Sequence, residues 1–301
     1  MVLVYVDDML ITGDNLKLIK ETKAGLQQVF KMKDLGELKY FLGIEFARSS
    51  QRILMHQRKY TLELISETGL GAAKPAITPL DFNMKLTTKE YDEHTNKGKE
   101  VADGDEELSD LNPYQKLIGK LLYLTMTRPD IAFNVQTLSQ FLQKPKRYHM
   151  EAALGIGRYL KQQPGQGIIL SSKNSTEITA YCDADWATCP HSRKSISGYL
   201  IKLGESLVSW KSKKQTTVSR SSAEAEYRSL ASTLAELIWL VGLLTELKIN
   251  VKQPVSVYSD IKAVMQIAAN LVYHEYLNSK LGTLNIFTAP SLRGSVEKGV
   301  T

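Results

Sequence analysis

A mixed α/β protein with more than one structural layer is the class that this chain predicts. Short β-branched and aromatic runs broken by turn residues fill the N-terminal stretch, and amphipathic helical spacing takes over from about Tyr114. From about Gly167 several strands are followed by one long helix, a further strand and a last helix. Strands first, then helix, strand and helix, describe a mixed sheet with helices packed on it. A length of 301 residues leaves room for two domains, and 43% hydrophobic against 23% charged side chains is ample for ordinary cores.

Val2 to Val6 and Met9 to Thr12 read as two strands with Asp7-Asp8 at the hairpin tip. After Gly13-Asp14-Asn15, a capping signal, Leu16, Ile19, Leu26, Val29 and Phe30 share a helical face, and this helix is expected to pack on the hairpin. Alternation from Leu38 to Phe46, a break at Ser49-Ser50 and Ile53 to Met55 predict a second hairpin, then a helix around Tyr60 to Thr68. From Gly71 to Asp110 aliphatics thin out behind Pro75 and Pro79, and the later part reads as a solvated loop or linker. Helical spacing returns at Tyr114, Leu117, Ile118, Leu121, Leu122 and Leu124, stops at Arg128-Pro129 and resumes through Ile131, Val135, Leu138 and Leu142. A further helix from about Arg147 to Gln162 ends before Pro164-Gly165. Strands are then expected at Gly167 to Leu170, Glu177 to Cys182, Gly198 to Leu203, Leu207 to Trp210 and Val255 to Tyr258, with a long helix from Ala223 to Leu247 and another from Asp260.

Several function classes drop out. No stretch reads as an unbroken bilayer-spanning run, and the apolar start ends at Asp7, too short for a signal-peptide core, so an intracellular, non-secreted chain is expected. Two cysteines, Cys182 and Cys189, exclude a disulfide scaffold and lack the partners of a zinc site. A net charge of +6 leans toward polyanionic partners, weakly on its own.

Three constellations could carry chemistry. Asp7 and Asp8 at a tight turn repel each other unless water or a hard divalent cation neutralises them; an isolated Asp-Asp is more often just an exposed acidic tip. Asp183 and Asp185 follow a strand, Glu224 and Glu226 head the long helix, and Asp260 stands where a strand meets a helix. Acids at strand ends and helix starts can converge on one sheet edge and hold two Mg²⁺ ions, although each alone could be a cap or a surface acid. The basic, hydroxyl-rich run of Arg193, Lys194, Trp210, Lys211, Lys213, Lys214, Ser219 and Arg220 offers phosphate contacts and an aromatic for stacking, or merely a solvated surface.

In order along the chain these passages resemble the Ty1/copia-type retrotransposon polyprotein and related plant fragments labelled uncharacterised mitochondrial proteins. The resemblance rests on Val4-Tyr5-Val6-Asp7-Asp8-Met9-Leu10, Tyr40-Phe41-Leu42-Gly43-Ile44, Leu124-Thr125-Met126-Thr127-Arg128-Pro129-Asp130-Ile131 and Asp183-Ala184-Asp185-Trp186-Ala187. Ser195-Ile196-Ser197-Gly198-Tyr199, Ser209-Trp210 and Thr217 through Arg228, which contains Ser221-Ser222-Ala223-Glu224-Ala225-Glu226, complete it to about residue 275. It implies an α+β reverse transcriptase palm remnant at 1–70, a linker at 71–112, a helical thumb or connection at 113–165, an α/β RNase H-like domain with a mixed sheet at 166–275 and a divergent, disordered tail at 276–301.

By the same resemblance Asp7 and Asp8 are the palm aspartates, and Asp183, Glu226 and Asp260 are ligands for Mg²⁺ or Mn²⁺ in a ribonuclease acting on RNA–DNA hybrids. Glu226 ranks above Glu224, and Asp183 above Asp185. A palm needs a further aspartate on an upstream strand, whereas Asp7 lies six residues after Met1, so the polymerase part is expected to be incomplete and inactive. Where the family has a fourth ribonuclease carboxylate this chain reads Leu281-Gly282-Thr283-Leu284-Asn285, so weak metal retention and at best weak cleavage are expected. A catalytically dead nucleic-acid-binding remnant and a relic without function stand as alternatives.

Overall fold

The computed structural model describes residues 1–81, 84, 86–95, 106–173, 175–260 and 284–288. At the N-terminus β1 (Val2–Tyr5) and β2 (Asp8–Ile11) pair antiparallel with Tyr5 opposite Asp8, so Val6 and Asp7 form the turn, Val6 at a φ of 49°. Asn15 caps α1 (Leu16–Val29) by accepting the Lys17 and Leu18 amides. The expected packing of this helix on the hairpin is not found: α1 buries no residue, and Leu16 is 73% exposed. The physical reason lies in the hairpin: β1 is exposed throughout and β2 only half-buried, and a two-stranded ribbon offers no sheet surface wide enough to cover a helix.

The second hairpin grows into a larger unit. β3 (Tyr40–Phe41), β4 (Ile44–Arg48) and β5 (Arg52–His56) form an antiparallel meander. Its first turn needs Gly43, at a φ of 73°, because a Cβ there would stand 3.2 Å from the Tyr123 hydroxyl. β6 (Gly167–Ser171) extends the same sheet by pairing with β5, so this strand, placed by sequence with the C-terminal unit, hydrogen-bonds to the N-terminal one. Its hydrophobic run Ile168 to Leu170 suits either sheet, and register is a tertiary property.

Between these strands lies a helical layer. α2 (Arg58–Glu67) and α3 (Lys89–Thr95) precede α4 (Asn112–Leu124), α5 (Ala132–Leu138) and α6 (Arg147–Leu160). Their shared core holds Leu64, Tyr114, Ile118, Leu121, Ile131, Val135, Ala153, Ile156 and Leu160. At the Arg128-Pro129 break the Arg128 guanidinium is 2% exposed, pairs with Asp130 at 2.7 Å and donates to the Gln163 carbonyl. The linker expectation needs revision: Leu86 and Thr87 are buried, Thr87 is bonded to Tyr148, and Asp92 of α3 is the partner of the fully buried Lys146 ammonium. Asp92 there serves a buried charge rather than solvent.

The C-terminal sheet positions the site. β7 (Glu177–Asp185), β8 (Ile196–Leu203) and β9 (Ser206–Lys214) run antiparallel; α7 (Ser222–Glu246) then crosses over to β10 (Lys252–Ser259), parallel to β7, and β11 (Leu284–Thr288) lies parallel to β10. The order is β11-β10-β7-β8-β9. Ile178, Ala180 and Cys182 of β7 alternate into a core completed by Leu230, Leu234, Leu237, Leu240 and Leu244 of α7 with Val255 and Val257 of β10. By length and composition α7 could cross a membrane, which corrects the reading that no stretch could, yet this leucine stripe packs on the sheet. Leu284–Thr288 corrects the expectation of disorder across 276–301; its Ile286, Phe287 and Thr288 have the β-branched and aromatic character that suits a strand. The helix expected from Asp260 lies outside the described residues.

Candidate metal centre

Three of the sequence-predicted acids meet. Asp183 comes from β7, the middle strand, Glu226 from the start of α7 and Asp260 from the residue after β10. One carboxylate oxygen of each lies within 4.8 Å of the other two. Glu226 arrives there because it continues the buried stripe of α7: Ala225, Glu226, Ser229, Leu230 and Thr233 all face inward. Ser229 fastens that turn of the helix, its hydroxyl donating to the Asp183 carbonyl at 2.7 Å.

The electrostatics are unfavourable to three bare anions. Glu226 is 2% exposed, and its Oε1 accepts the Ala184 N–H at 2.8 Å. Its Oε2 is buried with no hydrogen-bond partner among the described residues. Burial, opposed by the Ala184 N–H and reinforced by Asp260 and Asp183, pushes the Glu226 carboxyl up to about 8. Asp183 is half-buried and Asp260 exposed, so the cluster opens to solvent on one side. A hard, oxygen-only donor set with an unsatisfied buried oxygen fits a divalent cation such as Mg²⁺ or Mn²⁺.

The competing acids have other roles. Ser221 caps α7 by accepting the Glu224 N–H, while the Glu224 carboxylate takes the Arg220 N–H at 2.8 Å and pairs with Arg228 at 2.8 Å. Those cations hold the Glu224 carboxyl below its usual range. Asp185 is exposed and does not join the trio. Asp7 and Asp8 lie on the exposed hairpin tip, and among the described residues no third ligand groups with them.

The basic run divides. Arg193, Lys211, Lys213 and Arg220 are exposed and Lys194 is half-buried. Trp210 instead donates its indole N–H to the Thr125 carbonyl at 2.9 Å, Lys214 reaches Gln140 at 2.6 Å, and Ser219 is buried with its hydroxyl on Gln215 at 2.8 Å. These three are expected on a nucleic-acid-facing surface; here each also ties two segments together through a half-buried acceptor. Sequence reasoning missed Gln215, Ser197 and Ser229; the signal at Ser197 and Ser229 is a small polar residue where the strand and helix patterns call for an apolar one, and Gln215, just past β9, carries no signal of its own.

Residues 1–82 match the family described as reverse transcriptase (RNA-dependent DNA polymerase). The chain is 42% identical over 272 residues to the retrovirus-related Pol polyprotein from transposon RE2 of Arabidopsis thaliana, covering 90% of this chain and 18% of that polyprotein. It is 35% identical over 239 residues to the uncharacterized mitochondrial protein AtMg00810 of Arabidopsis thaliana, covering 79% of this chain and 92% of that one. Among solved structures, the N-terminal RNase H domain of rv2228c from Mycobacterium tuberculosis, fused to maltose-binding protein, overlaps 40% of this chain and 88% of that one at 16% identity and a TM-score of 0.30. A mixed sheet with three converging acids and a reverse transcriptase-related N-terminus define the class. The chain belongs to the Ty1/copia-type retrotransposon polyproteins, spanning about a fifth of the length of the Pol polyproteins it matches.

Proposed function

We propose that residues from β7 onward are an RNase H-like domain that cleaves the RNA strand of RNA–DNA hybrids at the Asp183, Glu226 and Asp260 centre. The single observation that carries this reading is the meeting of three carboxylates from strand, helix and following strand within 4.8 Å. Strand order β11-β10-β7-β8-β9, antiparallel on one side of β7 and parallel on the other, supports the RNase H-like assignment independently of any superposition. Bound divalent ions would supply an activated water and charge stabilisation at the scissile phosphate. The protein's part is to hold the three acids, with the Ala184 N–H fixing one oxygen of Glu226.

Exposed Arg193, Lys211, Lys213 and Arg220 offer phosphate contacts, and strand choice comes from 2′-hydroxyls and groove shape rather than base sequence. Turnover is weak on this reading, since the resemblance places a fourth carboxylate where the chain reads Leu281-Gly282-Thr283-Leu284-Asn285. The Asp7-Asp8 tip is a palm remnant without polymerase activity, its two acids joined by no third ligand among the described residues. Purified protein incubated with an end-labelled hybrid and Mg²⁺ tests the proposal. Cleavage that disappears in Asp183→Asn supports it; cleavage unchanged in that variant refutes it. Hybrid binding that falls steeply with salt but yields no cleavage identifies a binding remnant instead.

A further inference from the structure

We propose that Gln215 is a positioning residue that sets Glu226 in the metal centre. The side-chain amide of Gln215 sits at the junction of the strand sheet and the first turn of α7. Its Nε2 donates to the Ser197 hydroxyl of β8 at 2.9 Å and to the Ala225 carbonyl of α7 at 2.8 Å. Its Oε1 accepts the Ser219 hydroxyl at 2.8 Å, which aims the amide nitrogen at the two acceptors. The Gln215 backbone N–H donates to the Ser195 carbonyl at 2.8 Å, so the residue itself is held by the β8–β9 ladder. Trp186 closes the outer side with an indole N–H on the Ser219 carbonyl at 3.1 Å.

These bonds complete a ring. Ala184 lies opposite Ser197 in the β7–β8 pairing; Ser197 is bound by Gln215; Gln215 binds Ala225; Ala225 is covalently joined to Glu226; and Glu226 accepts the Ala184 N–H. Together with the Ser229 bond to the Asp183 carbonyl, this side chain holds the helix start to the strand end across which Glu226 and Asp183 face each other. Ala225 is fully buried and Ser219 3% exposed, while Gln215 and Ser197 are half-buried, so the strap is partly shielded from competing water. Support behind a ligand, rather than contact with the ion, is what the geometry assigns to Gln215.

The inference rests on the metal-centre reading, and the test separates the two. Mn²⁺ is titrated into the full-length protein and free ion is followed by electron paramagnetic resonance, with thermal melts confirming that each variant is folded at the titration temperature. Gln215→Ala should weaken Mn²⁺ binding about tenfold, the lower end of the range for outer-shell support of metal ligands. The double variant Gln215→Ala with Glu226→Gln should bind no more weakly than Glu226→Gln alone, because Gln215 acts through Glu226. Ser209→Ala, which removes a different anchor of α7 at Glu236, should leave affinity unchanged. Wild-type affinity in folded Gln215→Ala, or a fully additive loss in the double variant, overturns the inference alone. Absence of wild-type binding, or Glu226→Gln binding as wild type, overturns the metal centre and the inference with it. If Gln215→Ala does not fold, Ser197→Ala removes one of the two acceptors; affinity weakened severalfold sustains the proposal, and unchanged affinity overturns it.

Discussion

Replacing Glu226 by Gln should stabilise the metal-free protein at neutral pH while destroying its response to divalent ions. The ordinary value of 4.5 applies to the unfolded chain, and burial raises the folded value to about 8. Between these limits the folded state holds a proton that the unfolded state has released, so stability falls as pH rises through that window and is unaffected below it. At pH 7 the interval is about 2.5 units, which at roughly 1.4 kcal/mol per unit amounts to a penalty of order 3 kcal/mol. Glutamine keeps an oxygen for the Ala184 N–H and turns its amide toward Asp183 and Asp260, whose oxygens lie within 4.8 Å. Melts in EDTA should therefore show Glu226→Gln above wild type by several degrees at pH 7.5 and level with it at pH 4. With 10 mM Mg²⁺, about the excess over a millimolar Kd that linkage needs to register, only the wild type should gain. A variant equal to or less stable than wild type in EDTA at pH 7.5 would refute the claim that Glu226 is held against its own charge.

Other consequences can be measured on the same preparations. His149 is fully buried, and burial together with the Lys146 ammonium pushes its imidazole down to about 3, so stability should fall as pH drops below 6.5, by up to ~1.4 kcal/mol per unit. Because Glu226 runs the opposite way over the same window, the slope is read in the Glu226→Gln background: urea midpoints from pH 6.5 to 4.5 should fall there, and adding His149→Phe should flatten the fall. Trp210→Phe should cost about 1 kcal/mol by leaving the Thr125 carbonyl without its donor, with hybrid affinity unchanged in a filter-binding assay. Glu224→Gln should lower the melting temperature slightly through the lost Arg228 ion pair, its amide oxygen still taking the Arg220 N–H, and leave hybrid cleavage near the wild-type rate.

Local patterns carried the elements, and their failures have a common cause. The leucine spacing of α7, the alternation of β7 and the break at Arg128-Pro129 are visible in composition and period alone. Helix α3 was hidden because its stability comes from Asp92 reaching a lysine more than fifty residues away, a contact no local window contains. β6 was placed with the wrong sheet for the same reason, since Ile168 to Leu170 carry no mark of which strand they will meet. α1 shows the converse: its capping and periodicity are genuine, but the partner surface they predict is missing. At the site, Asp183 and Glu226 were separable from Asp185 and Glu224 only by resemblance, whereas the coordinates separate them by burial and by the caps that Glu224 satisfies.

The convergence of the three acids follows from topology more than from any one contact. α7 carries the chain from the antiparallel half of the sheet to β10, which must run parallel to β7, so the ends of β7 and β10 fall on the same edge. A helix making that crossover begins beside the edge where β7 ends, which places its first buried turn next to Asp183. What topology leaves open is the last few ångströms, and there the fold spends specific polar bonds: Ser229 on the Asp183 carbonyl, Ala184 on Glu226, Gln215 between Ser197 and Ala225. Each fixes backbone or one carboxylate oxygen, while the second oxygen of Glu226 stays buried without a partner among the described residues. In the metal-free protein the carboxyl meets this by holding a proton beside Asp183, at the neutral-pH stability cost worked out above. Its retention beside two further carboxylates is the physical reason to look for a cation there.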